Sequence, residues 1–232
     1  MNYSSEQLNL NKPKRKPKQR KWASQGNLDK VGSGIKIASQ ALTVARSLQA
    51  LINVETKVFD HVQSQAVPQA TSGGYTDCIT EMGQGATNIT RNGNSIKLTR
   101  VQLRAKITLH ASATATVVRF IAIRQNDCHG DYLGLTDILS NTNIDYAMLC
   151  PFTEIEKRRF SVLHDSVHII NATNPVATIA IDNSDSNHVR YIGTSAAVAS
   201  AGPGQIIYFA VSNEGTNTPQ LNVCSRISFV DN

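Results

Sequence analysis

Between Ser95 and His110 apolar residues alternate with polar ones for longer than anywhere else in the chain. Ile96 and Leu98 share one parity; Val101, Leu103, Ala105, Ile107 and Leu109 share the other. A period of two requires extended backbone with one face buried, so this stretch is a strand and not a helix. A one-residue slip turns every later side chain to the other face. The change of phase near Thr99–Arg100 therefore predicts a β-bulge within one strand rather than two strands.

The same reading extends along residues 53–232. Val54, Thr56 and Val58 alternate with Glu55, Lys57 and Phe59 as a first strand. A turn-rich segment, Gln65–Gly74, leads to a short strand at Tyr75–Met82. Asn92-Gly93 in the following loop is a strong turn signal. Val117–Arg124 is almost continuously apolar and reads as a strand buried on both faces. Further strands are expected at Arg158–Ile170, Val176–Ile181, His188–Ile192, Gln205–Ser212 and Gln220–Val230. Gly134–Ser140 suits a short helix capped by Thr136. About eight strands with long connections and short helices predict an all-β fold, most naturally an eight-stranded jelly-roll sandwich.

Before the strands the rhythm differs. In residues 35–52, Ala38, Ala41, Leu42, Ala45, Leu48, Leu51 and Ile52 recur at helical spacing, with Ser39, Gln40, Arg46 and Gln49 opposite. This predicts an amphipathic helix, either covering part of its own core or self-associating. Residues 1–34 lack periodicity and are polar, the signature of a disordered arm. Within the arm, Lys12, Lys14, Arg15, Lys16, Lys18, Arg20 and Lys21 follow one another with no acid between, and Pro13 and Pro17 forbid a helix. Of 23 Lys and Arg and 17 Asp and Glu, seven basic residues and one acid precede Trp22, which leaves the rest balanced at 16 of each. The net charge of +6 thus belongs to the arm. An extended polycation ahead of a neutral body points to nucleic acid, and the same run also reads as a nuclear-import signal.

Other signals are negative. Cys78, Cys128, Cys150 and Cys224 lie far apart with no zinc spacing and read as buried or idle thiols. No signal-peptide core opens the chain and no apolar run is long enough for a bilayer, so no membrane partner is expected. The sequons at Asn2, Asn88 and Asn171 then carry no meaning. The glycine-rich loop Gly193–Gly204 lacks the Gly-Lys-Ser/Thr ending of a phosphate loop. His164-Asp165 and Asp127-Cys128-His129 are the dense catalytic-looking groups. Without a third partner or a metal spacing they read as loop and strand-edge residues, and no enzyme is expected.

Six blocks, in order, carry a family resemblance. They are Leu51-Ile52-Asn53-Val54-Glu55; Gly83-Gln84-Gly85 with Arg91 to Lys97; Arg119 to Asn126; Asp137-Ile138-Leu139; Lys157 to Asp165; and Ala199 to Gly204. With the basic arm they resemble the single-jelly-roll capsid proteins of the satellite tobacco necrosis virus type, a type also found in small circular single-stranded DNA viruses. The resemblance implies a coat protein of a small icosahedral shell, T=1 with sixty identical subunits, around a single-stranded RNA or DNA genome. It implies a virion location, with passage through the host cell interior and its nucleus if the arm is an import signal. No motif names a host receptor. It also implies that arm and helix project inward, the helices clustering near three-fold axes. Seven arm cations on sixty copies make on the order of 400 charges, well below the phosphates of even a genome of about a thousand nucleotides. Inward-facing basic residues are expected at Lys97, Arg124 and Arg158. No cofactor is required, but some such shells hold structural calcium between subunits. The matching positions are Asn92, Ser95 and Asp231, with Ala86 standing where a further carboxylate is expected. Two other classes fit less well. A cellular nucleic-acid-binding β-sandwich would show a stacking face, yet aromatic residues make up only 6% of the chain and are scattered. A lectin-like or receptor-binding jelly roll leaves the polycationic arm without a purpose.

Overall fold

The structure, a computed structural model, describes residues 36–44, 55–154 and 158–231. The chain divides into two units, Met1–Asn53 and Val54–Asn232. In the first, residues 36–44 form helix α1, with every one of them exposed. Thr43 Oγ1 donates back to the Ser39 carbonyl at 2.9 Å. The arm and the remainder of the expected helix lie outside the described residues.

Among the described residues the second unit holds nine strands: β1 (Thr56–Ala66), β2 (Tyr75–Cys78), β3 (Ser95–Thr108), β4 (Ala115–Gln125), β5 (Phe160–Asn171), β6 (Val176–Ser184), β7 (His188–Arg190), β8 (Gln205–Ser212) and β9 (Gln220–Asp231). One sheet runs β1-β9-β3-β6, with three-residue β7 also paired to β3; the other runs β2-β8-β4-β5. Every pairing is antiparallel. The chain crosses between sheets after β1, β2, β3, β5, β7 and β8, which is the winding of a jelly roll of eight main strands.

Strand composition follows from what each face meets. In β3 and β9 buried and exposed residues alternate, because the outer face of their sheet is solvated. The expected bulge is present: Leu98 and Arg100 oppose adjacent residues of β9, leaving Thr99 unpaired. In β8 all eight residues are buried, and in β4 nearly all are. These two strands are covered twice. Between the sheets, Phe120, Ala122, Ile206 and Tyr208 join Leu103, Ile107 and Phe229. On the far side, Ile121, Ile123, Ile207 and Phe209 lie beneath α2 (Leu135–Ile138) and α3 (Ile144–Ala147).

One local expectation needs correction. Helix α2 begins at Leu135, and its first turn is closed by Asp137, whose carboxylate accepts from the Gly134 N–H at 2.7 Å; Thr136 already lies inside the helix. A carboxylate at that position also suits the helix dipole. Helix α3 has no sequence signal beyond Asn141, whose side-chain oxygen accepts from the Asn143 N–H just before it. The loop 193–204 zips onto β7 through its backbone: Arg190 N donates to Pro203 O, and Gly202 N to Arg190 O. At Gly204 φ is +95° and a Cβ would strike the His188 carbonyl, so the loop's glycine serves close packing.

Candidate assembly and genome-binding surfaces

Three polar constellations tie the sandwich together, and each starts from a buried charged residue. Lys57 shares the inner parity of β1 with Phe59, and only 4% of its side chain is exposed. Its ammonium lies 2.7 Å from Asp231 Oδ2 at the end of β9 and donates to Asn92 Oδ1 (2.9 Å) and Thr90 O (3.1 Å). Asn92 N also donates to Asp231 Oδ1 at 3.0 Å. First strand, last strand and the 83–94 loop are thereby tied at one point.

This bears directly on the calcium expectation. Asn92 and Asp231 do meet, but Lys57 stands among their oxygens as a resident cation. Ser95 instead opens β3 opposite Arg190. Calcium requires six to eight oxygen ligands and repels an ammonium at this range, so the residues present do not fit it. Among the described residues, no group of three or more His, Cys, Asp or Glu is arranged to hold a metal ion.

Beside this corner Arg91 is fully buried. It donates to the carbonyls of Met82, Gly93 and Gly193, and its guanidinium lies 4.0 Å from the centre of the Tyr191 ring. Burial pulls its pKa down, but the carbonyl cage and the ring face satisfy the cation. The Gly83–Asn94 loop is therefore built around an arginine.

Arg119 interrupts the apolar run of β4 and is 5% exposed. It forms a two-pronged pair with Asp165 of β5 (2.9 and 2.8 Å) and donates to the carbonyls of Ala147 and Cys150. Burial opposes its charge, yet the bonds to Asp165 outweigh that and raise its pKa. The pair fastens the α3 turn to the sheet, which gives Asp165 a structural role. His164 bonds Ser166 Oγ at 2.9 Å, and that same hydroxyl meets His168 Nε2 at 2.9 Å. In the other catalytic-looking group, Cys128 Sγ donates to Asp131 O, and burial pushes its pKa up, opposite to what an activated nucleophile needs.

The expected inward-facing cations take three different situations. Lys97 is exposed on the outer face of the five-stranded sheet, and Arg158 is exposed in the turn before β5. Arg124 faces the interior of the sandwich and ion-pairs with Asp185, at 12% and 7% side-chain exposure. Its charge is already matched, so it offers little to a phosphate and the expectation for Arg124 is revised. Sequence reasoning passed over Arg104 and Lys106. Both are exposed on the outer face of β3, on the same side of the sheet as Arg100 and Arg226, which are occupied by Asp182 and Asp60.

Apolar side chains are also left outside. β5 is an edge strand of the four-stranded sheet, and Val162, Val167 and Ile169 are exposed on it, as are Tyr146 and Leu149 around α3. This edge strand has no Lys or Pro and exposes three branched apolar residues, which leaves its bulge at Leu163 as its main guard against pairing with another chain.

Residues 33–232 match the satellite tobacco necrosis virus coat protein family. The chain belongs to that family. As a coat protein it is a structural component of a virion, and proteins of this kind assemble into multi-subunit shells; no enzymatic role follows from the family. No curated protein sequence matches the chain. Among solved structures it is similar to a Desmodium yellow mottle tymovirus chain at 11% identity and TM-score 0.34, over 76% of this chain and 87% of that one. It is also similar to a Mud crab tombus-like virus chain at 12% identity and TM-score 0.34, over 76% and 82%. An Israel acute paralysis virus pentamer chain gives 10% identity and TM-score 0.33, over 77% and 68%. No helix among the described residues of the coat protein is long and apolar enough to cross a membrane.

Proposed function

We propose that this coat protein closes into a T=1 icosahedral shell of sixty identical subunits and packages a single-stranded genome through residues 12–21. The observation that carries the reading is the charge partition. The whole +6 lies ahead of Trp22, and the remainder of the chain balances. A neutral shell domain tolerates close contact between many copies, whereas a charged one would repel itself. The arm supplies counter-charge to phosphates without reading bases, since flexible lysines and arginines need only reach and neutralise. Lys97 and Arg158 add exposed cations on the shell domain. The exposed apolar residues of β5 serve as subunit contact, a use that also covers that edge. The arm doubles as a nuclear-import signal for newly made subunits. Structural calcium at Asn92 and Asp231 is dispensable in this reading, because Lys57 is the resident cation.

The test replaces the seven arm cations, Lys12 to Lys21, by serine. Particles should still form but lose their nucleic acid, read as a fall in the 260/280 nm absorbance ratio to that of protein alone. Particles retaining full-length nucleic acid would refute the packaging role.

A further inference from the structure

Between the sheets, beside Arg124, there is a cavity of about 360 Å³. Val101, Leu103 and Ile181 wall it from the five-stranded sheet, and Ala122, Leu163 and Ile206 from the other. Interiors are otherwise packed as densely as organic crystals, so an opening of this size forfeits contacts along every wall.

Its origin lies in two bulges. Leu163 is the extra residue where β5 slips against Ala122 and Ile123 of β4, and Thr99 is the extra residue of β3 against β9. The Thr99 carbonyl accepts from the N–H of Asp185, which itself lines the cavity. A bulge bends its strand and re-aims side chains, so one in each sheet spreads the layers at this end.

The polar groups define what can enter. Arg124 and Asp185 cancel each other, and Asp185 Oδ1 also accepts from the backbone and side-chain amide of Asn187. Asp182 is held by Arg100 and Gln102. Every formal charge at the mouth is thus matched, and an added ionic head would be uncompensated beside apolar walls. The Asn183 amide shares the inner parity of Val101, lines the cavity and forms no hydrogen bond within the described residues, whereas Ser184, opposite Arg100, turns its hydroxyl to the outer face. The amide is a neutral donor and acceptor.

We propose that this cavity is a binding site for a neutral amphiphile, with a hydroxyl or amide head at the Asn183 amide and an aliphatic tail between Leu103 and Ala122. On the scale where a cavity of about 150 Å³ holds benzene, about 360 Å³ has room for roughly fourteen non-hydrogen atoms, head and tail together. A linear eight-carbon alcohol fits within that size. The site is separate from the arm and the outer sheet face and does not depend on genome packaging.

The probes are 1-octanol and sodium octanoate, added to assembled particles of the 232-residue chain. At tenfold excess over its Kd, octanol should raise the Tm by about 3–6 °C, against the general tendency of alcohols to lower it. Octanoate should bind at least tenfold more weakly, and Ala122→Leu, which fills the cavity, should abolish the octanol response. Crystals soaked in 8-bromo-1-octanol give an answer that does not depend on that variant folding: the bromine should lie between Leu103 and Ala122. No rise in Tm, equal binding of octanoate, an undiminished response in Ala122→Leu, or bromine located elsewhere would overturn the proposal.

Discussion

Replacing Lys57 by alanine removes the cation around which the first strand, the last strand and the 83–94 loop converge. The ammonium is 4% exposed and its carboxylate partner Asp231 17% exposed, so solvent screens the contact little. Alanine leaves Asp231 Oδ2, Asn92 Oδ1 and the Thr90 carbonyl facing one another without the ammonium that joined them. Breaking a buried pair from one side costs about 3–5 kcal/mol, because the remaining charge stays desolvated. Asp231 keeps the N–H of Asn92, which places the expectation at the lower end, about 3 kcal/mol. For a domain of this size that is a fall in Tm of about 6–12 °C. The assay is urea and thermal unfolding of Lys57→Ala, Asp231→Asn and the double variant. The double variant should recover at least about 1.5 kcal/mol of the summed single losses, since the two removals share one interaction. Because the cation is internal, a chelator should leave wild-type stability unchanged. A single-variant loss below about 0.5 kcal/mol, or a loss of stability in chelator, would refute the reasoning.

Arg119→Met should cost about 3 kcal/mol, since it strands Asp165 and two carbonyls; Arg119→Met/Asp165→Asn should recover part of that in urea unfolding. His61 and Asp77 give a pH signature. Asp77 hydrogen-bonds His61 at 2.7 Å and raises the imidazole's pKa above its ordinary value. That contribution is complete below about pH 6.5 and is lost as pH rises through the raised value. Burial works to raise the Asp77 carboxyl, but bonds from His61 and Tyr208 outweigh it and lower the pKa, so its share is lost only as pH falls through that lowered value. The urea midpoint should therefore drop between pH 6 and 8 in wild type and drop less in His61→Gln; parallel pH profiles would contradict the pairing.

Much of the sandwich was legible because burial on one face leaves a parity in the sequence. The bulge at Thr99 is the clearest instance, since a slipped ladder must slip the pattern. Twice-covered strands were legible too, through the run of β4 that is apolar on both parities but for Arg119. What escaped is chemistry made by convergence. Lys57 sits in the phase of Phe59, and Arg119 sits within an apolar strand; each was a visible anomaly whose partner, more than 40 positions away, was not. Arg124 looked like an available cation because its partner Asp185 lies 61 positions along the chain. The short helices escaped because one turn has no period to detect.

The central claim is that this chain exists to close into a shell. Electron microscopy of the purified 232-residue chain at high concentration tests it most directly. The account predicts uniform, closed, spherical particles of one small diameter, and a strictly monomeric species under the same conditions would contradict it.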